Sequence, residues 1–106
     1  MSYISLTYTF DERGRRGVMK IREGFVLRQI ADQWMVVPIG GMAEKIHGLI
    51  SLNETAADIW KILEDEHTVD EVVDILALSY EHDRDEIRDN VLEFIHTLEE
   101  NDMLDK

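Results

Sequence analysis

A chain of 106 residues, 44% hydrophobic and 32% charged, suits one globular domain with a single modest core. Its 11 Lys and Arg against 23 Asp and Glu leave a net charge of −12, which nucleic acid and anionic lipid surfaces repel. With no cysteine, disulfides, thiolate nucleophiles and Cys-built zinc sites are excluded, and nothing points to an oxidising compartment.

The first residues, MSYISLTYTF, carry no basic residue ahead of an apolar run, and Asp11 and Glu12 follow at once; this is not a secretory signal. Ile4, Leu6, Tyr8 and Phe10 alternate with Ser5, Thr7 and Thr9, the period-2 pattern of a strand. DERGRRG then reads as a polar, glycine-containing link, and Met19 opens a fresh start. We therefore expect residues 1–18 to form an N-terminal arm and residues 19–106 the domain proper.

Two apolar runs, Phe25–Ala31 and Trp34–Ile39, predict a hairpin joined by Asp32 and Gln33. Pro38 cannot donate to a ladder and marks an edge or a strand end. Gly40 and Gly41 read as a turn. The least polar stretch, Met35–Ala43, is far short of the roughly 20 residues a membrane span needs, so the expected location is the cytoplasm. A third strand is predicted over Lys45–Leu52, with Ile46, Gly48, Ile50 and Leu52 on one face and His47, Leu49 and Ser51 on the other.

The chain changes character near Asn53. Residues 53–106 hold 18 acidic and 4 basic side chains, while all six glycines and the only proline lie before them, so strands and turns give way to helices. Asn53 caps a helix over Glu54–Leu63, with Ala56, Ile59, Trp60 and Leu63 on one face. Thr68-Val69-Asp70-Glu71 is a capping box opening a helix whose stripe is Val69, Val72, Val73, Leu76, Ala77 and Tyr80. Asp83 caps a last helix carrying Ile87, Val91, Phe94, Ile95 and Leu98. Connections this short fold each helix back on the one before.

No chemistry-bearing constellation emerges. His47, His67, His82 and His96 lie far apart with no i, i+4 pairing, so neither a metal site nor a cofactor is expected. The carboxylates fall on the wet faces of amphipathic helices, and phosphate-binding glycine loops and nucleophile elbows are absent. Three strands followed by three helices suit a winged-helix relative. A winged-helix transcriptional regulator is opposed by the last helix, where Arg84 and Arg88 face Asp85, Glu86, Asp89, Glu93, Glu99 and Glu100. A protein–protein adaptor is the other alternative. What remains is the sheet edge: within the third strand, IHGLIS has no proline and no charge beyond a possible one on His47, so it is either open to strand addition by a peptide or a mere edge strand covered by the N-terminal segment or a second copy.

At Gly48–Leu63 the run GLISLNETAADIWKIL resembles the PqqD family, the recognition elements of ribosomally made and modified peptides. GFVLRQIADQWMVVPIG upstream and TVDEVVDILALSYEHDRDEIRDNVLEFIHTLEENDML downstream fit the same pattern, so the resemblance spans about residues 19–104. It implies an α+β, winged helix-turn-helix-like fold, a three-stranded antiparallel sheet followed by three helices, and no catalysis. It also implies a non-catalytic module that holds the leader of a precursor peptide as a fourth strand and presents the core to a peptide-modifying enzyme, often a radical S-adenosylmethionine protein. Carried onto this chain, the peptide-binding strand is Ile46, His47, Gly48, Leu49, Ile50 and Ser51. The facing helix contributes Arg84, Ile87, Arg88, Val91, Leu92 and Ile95. Residues 1–18 precede the usual family start and are either a start taken too far upstream, a native arm or an added segment; as an arm they can pair with an open edge in their own chain or in a second copy, giving a homodimer by strand or arm exchange. The family spans many products, so the resemblance does not specify pyrroloquinoline quinone.

Overall fold

A computed structural model describes residues 17–45 and 50–105. Nine elements follow in chain order: β1 (Lys20–Ile21), β2 (Phe25–Ile30), β3 (Gln33–Pro38), α1 (Gly41–Lys45), β4 (Ile50–Leu52), α2 (Glu54–Leu63), α3 (Val69–Ala77), α4 (Arg84–Glu100) and β5 (Leu104–Asp105). The main sheet is antiparallel in the order β2-β3-β4, so β2 and β4 are its edges. The expected α+β architecture, three antiparallel strands followed by three long helices, is present.

Alternation sets the two faces of this sheet. Phe25 opposes Pro38, and Leu27, Val36 and Ile50 form one cross-strand row, on the face that meets the helices. Val36 is 1% exposed at the centre of that face. Trp60 and Leu63 from α2, Val72 and Val73 from α3, and Val91 from α4 meet there, each fully buried. Phe25 meets Trp60 edge to face, with ring centroids 6.4 Å apart. The Trp60 indole N–H finds no acceptor among the described residues, a deficit worth about 1–3 kcal/mol that the surrounding apolar burial outweighs.

Helix starts follow the cap chemistry. The Asn53 carboxamide oxygen accepts the Ala56 N–H at 2.8 Å. At α3 the reciprocal box is complete: the Thr68 hydroxyl accepts the Glu71 N–H, and the Glu71 carboxylate accepts the Thr68 N–H, both at 3.1 Å. Asp83 occupies the cap position of α4, but its side chain makes no capping hydrogen bond.

Several local expectations need correction. The hairpin turns at Ala31 and Asp32, with φ of 49° and 68°, and Gln33 already belongs to β3 opposite Ile30. Two successive left-handed residues make the two-residue turn whose twist matches the strands. Moving the turn by one position shifts the register by two residues and leaves the in/out pattern unchanged, so alternation is blind to it. The predicted loop at Gly40 and Gly41 leads instead into one helical turn, and Lys45 ends that turn rather than opening a strand. The turn is set by Met42, which packs against the core and against Gly24. Gly24 has a φ of +108°, and a Cβ there would lie 2.5 Å from Met42 Cγ, so only glycine fits. The third strand is Ile50–Leu52; the expected residues Ile46, His47, Gly48 and Leu49 lie outside the described residues. α3 ends at Ala77, which is exposed, so Tyr80 follows the helix rather than continuing its stripe.

A second, two-stranded ladder was not expected. β1 pairs antiparallel with β5, Lys20 opposite Asp105 and Ile21 opposite Leu104. Arg22 completes this clasp: its N–H donates to the Met103 carbonyl at 2.8 Å, and its guanidinium pairs with Asp102 at 2.6 Å and Asp105 at 3.4 Å. Beside it, Met19 and His67 exchange backbone hydrogen bonds of 3.0 Å each. Val18, on the arm side of the expected boundary, is buried. The strand-like residues 4–10 lie outside the described residues.

Candidate functional site

β4 is short and uncharged. Its inner edge pairs with β3 through Trp34–Leu52, Met35–Ser51 and Val36–Ile50, and no described strand pairs with its outer edge. Ile50 and Leu52 are half-buried toward the helices, while Ser51 is exposed on the opposite face. The in/out alternation expected for these three positions is therefore observed. One strand inward, Trp34 lies under Lys61 of α2, whose Nζ is 4.1 Å from the ring centroid. A peptide extending the sheet beyond β4 would find backbone groups on its flank and the apolar side chains of Ile50 and Leu52 on its helix side.

The helix half of the expected site divides by burial. Ile87, Val91 and Ile95 turn into the core at 4%, 0% and 6% exposure, so they support α4 rather than offer surface. Leu92 is the exposed apolar residue of the set, at 44%. Arg84 and Arg88 cross to α3, where their guanidinium groups pair with Asp74 and Asp70. The Asp70 hydrogen bond, with its charge, raises the Arg88 guanidinium above its ordinary value.

Other features escaped the sequence reading. The Tyr80 hydroxyl donates to the Asp58 carboxylate of α2, tying the α3–α4 connection to the helix layer. That bond, helped by partial burial, raises the Tyr80 pKa above the ordinary tyrosine value. Tyr80 also stacks on His82, with centroids 6.5 Å apart. At the C-terminal end of α3, Ile75 and the capping Leu78 are exposed at 38% and 86%. Their i, i+3 spacing is visible in the chain, but exposure is not. No cluster of three or more metal-ligating side chains occurs among the described residues. Among those residues, too, no helix is long and apolar enough to cross a membrane.

Comparison with known proteins places this arrangement. The family model for coenzyme PQQ synthesis protein D (PqqD) matches residues 33–104, the whole run from β3 through α4 to β5. The chain belongs to the PqqD family. No curated protein sequence matches it. Among solved structures, the PqqD-family fold recurs in TbiB1 in complex with the TbiA(beta) leader peptide, with a TM-score of 0.64 and 22% identity over 81% of this chain and 94% of that one. It recurs in a lasso peptide synthetase B1 complexed with its leader peptide, with a TM-score of 0.64 and 23% identity over 83% of this chain and 98% of that one. A third neighbour is the PqqD truncation of Methylobacterium extorquens PqqCD, described as a functional and stand-alone recognition element for ribosomally synthesised and modified peptides. It has a TM-score of 0.65 and 18% identity over 92% of this chain and 96% of that one. At these identities the likeness speaks for the PqqD fold.

Proposed function

We propose that this PqqD-family chain captures the leader of a ribosomally synthesised precursor peptide by strand addition and presents the attached core to a peptide-modifying enzyme. The observation that carries the reading is β4, an uncharged sheet edge paired on one side only among the described residues. Two structural neighbours hold leader peptides, and a third is a recognition element of the same family, which supports the same reading. The scaffold is winged-helix-like, a sheet feeding into α2–α4, and the chain performs no catalysis itself. Its enzyme partner is of the radical S-adenosylmethionine class, and the module works in the cytoplasm. The leader lies antiparallel to β4, its path continuing along Ile46–Leu49, with Arg84, Arg88 and Leu92 at the α4 side. The same open edge permits strand or arm exchange between two copies.

The test is a titration of the isotopically labelled protein with synthetic leader segments of precursors encoded beside its gene. Amide shifts concentrated at Ile50–Leu52 and along Arg84–Ile95 are expected; shifts elsewhere only, or none, would overturn the proposal. Arg88→Glu should weaken an acidic leader by about 2- to 5-fold, the worth of an exposed charge pair, and spare a neutral one.

A further inference from the structure

We infer that the outer face of the main sheet, where Val26, Ile30, Met35 and Val37 surround Arg28, is a docking surface for the peptide-modifying enzyme, which meets it with an apolar patch carrying a carboxylate. The inference rests on the leader-recognition reading, which supplies that enzyme as a partner.

The make-up of the face comes first. Period 2 sends Leu27, Val36 and Ile50 toward α2, α3 and α4, so the alternate residues of the three strands point away from those helices. An antiparallel sheet with one solvated face is ordinarily apolar inside and polar outside. Here the outer face is apolar as well. Val26 opposes Val37 across the hairpin, Met35 lies between Arg28 and Ser51, and Ile30 opposes Gln33. Val26, Met35 and Val37 are half-buried, and Ile30 is 49% exposed. Strand propensity does not account for this, because Thr serves a wet face as well as Val or Ile does, and Met is not among the strong strand formers. A contiguous apolar patch on an outer face marks an interaction surface.

Charge comes second. Arg28 is the only charged residue in β2, β3 and β4. It is exposed and pairs with no carboxylate among the described residues, unlike Arg22, Arg84 and Arg88. A lone cation set in apolar surface selects a partner patch with a carboxylate opposite it and rejects one bearing Lys or Arg.

Size and position then choose the occupant. The face is at most about 20 Å along the strands and about 14 Å across them, roughly 300 Å². A stable dimer takes about 800 Å² from each partner. A second copy therefore gains too little here, and its own three strands hold no carboxylate for Arg28. The face suits a contact that is one part of a larger assembly. Its Arg28–Met35–Ser51 row ends on β4, so a leader added to that edge would continue the row with its own side chains. An enzyme docked on this face lies beside the leader, and its two modest contacts, one with the module and one with the tethered core, reinforce each other.

The experiment measures the affinity of the purified modifying enzyme encoded beside the gene for the full-length protein, with a synthetic leader segment present, and for two variants. The double variant Ile30→Thr, Val37→Thr keeps β-branched side chains and removes apolar surface; it should weaken enzyme binding about 10-fold or more. Arg28→Glu should weaken it about 5-fold or more, and added salt should then strengthen the variant's binding where it weakens that of the wild type. Both variants should bind the leader segment with wild-type affinity, which also reports that they are folded. Enzyme that binds neither wild type nor variants, or all of them equally, overturns the inference and leaves leader recognition standing. So does a concentration-dependent dimer of the wild type that the double variant converts to monomer, since a second copy would then be the occupant. A wild-type protein that binds no leader removes the proposed function, and this inference with it.

Discussion

Tyr80 shows how one hydroxyl fastens two elements. It sits just past α3, and its O–H donates to Asp58 on α2. Because this bond needs the protonated phenol, the folded state holds Tyr80 neutral to higher pH than the unfolded chain does. The bond's contribution to stability is thus complete below the ordinary tyrosine value of about 10 and is lost as pH rises through the higher folded value. Tyr80→Phe should remove the latest-ionising component of an ultraviolet difference titration. It should also destabilise the protein at neutral pH by an amount that shrinks in strongly alkaline solution. An alkaline titration identical in both proteins would show that Asp58 does not hold the phenol. Arg84 and Arg88 teach a related lesson. The family resemblance implies two cations facing the peptide groove; in the structure each already has a carboxylate on α3. Under the proposed function, an acidic peptide would have to compete with Asp74 and Asp70 for them, which would limit the selectivity they confer.

Among the elements, the helices were the most legible. α2 and α3 begin where Asn53 and Thr68 can satisfy orphan N–H groups, and the buried face of α4 follows its apolar spacing, as does that of α2 except that Ala57 is buried where Ala56, half-buried, was expected. Thr68→Ala should cost about 0.5–2 kcal/mol in chemical denaturation, since it removes the acceptor for the Glu71 N–H and leaves the Glu71 side chain without its reciprocal geometry. A loss below that range would mean water replaces the hydroxyl at no cost. The strands were legible in pattern but not in register. Period 2 assigns Ile50 and Leu52 inward and Ser51 outward, yet says nothing about whether the hairpin turns at residue 31 or 32. α1 was hidden because a single turn has no periodicity, and its helical form depends on Met42 reaching Gly24, a contact across 18 positions of chain. β1 and β5 were hidden for a stronger reason: two residues carry no pattern, and their partners lie at opposite ends of the domain. For the candidate site, an uncharged edge strand without proline could be read from the chain, while its role as acceptor came only from the family resemblance. The division of α4 into core residues and exposed Leu92 could not, because Ile87, Val91, Leu92 and Ile95 look alike until the neighbouring helices are in place.

At the scale of the whole molecule, charge is divided by element type. The sheet half is nearly neutral, while residues 53–106, the helices with their connections and the C-terminal strand, hold 18 of the 23 carboxylates. Asp85, Glu86, Asp89 and Glu93 line the outer side of α4, the helix a winged-helix regulator would set against phosphates. No retardation of duplex DNA is therefore expected even at about 50 mM salt, where non-specific binding is strongest. A shift that weakens steeply with added salt would revive the regulator reading. The acidic exterior also leaves the uncharged edge as the place where a second backbone meets least repulsion, in keeping with a module that accepts a strand.

The clasp between β1 and β5 has a consequence for engineering and for natural gene fusion alike. Since Lys20 faces Asp105 and Ile21 faces Leu104, anything spliced onto either end of the domain emerges from one pole. A tethered enzyme could thus be attached through either terminus with nearly the same geometry, and a circularly permuted version would need only a brief linker to join the old ends.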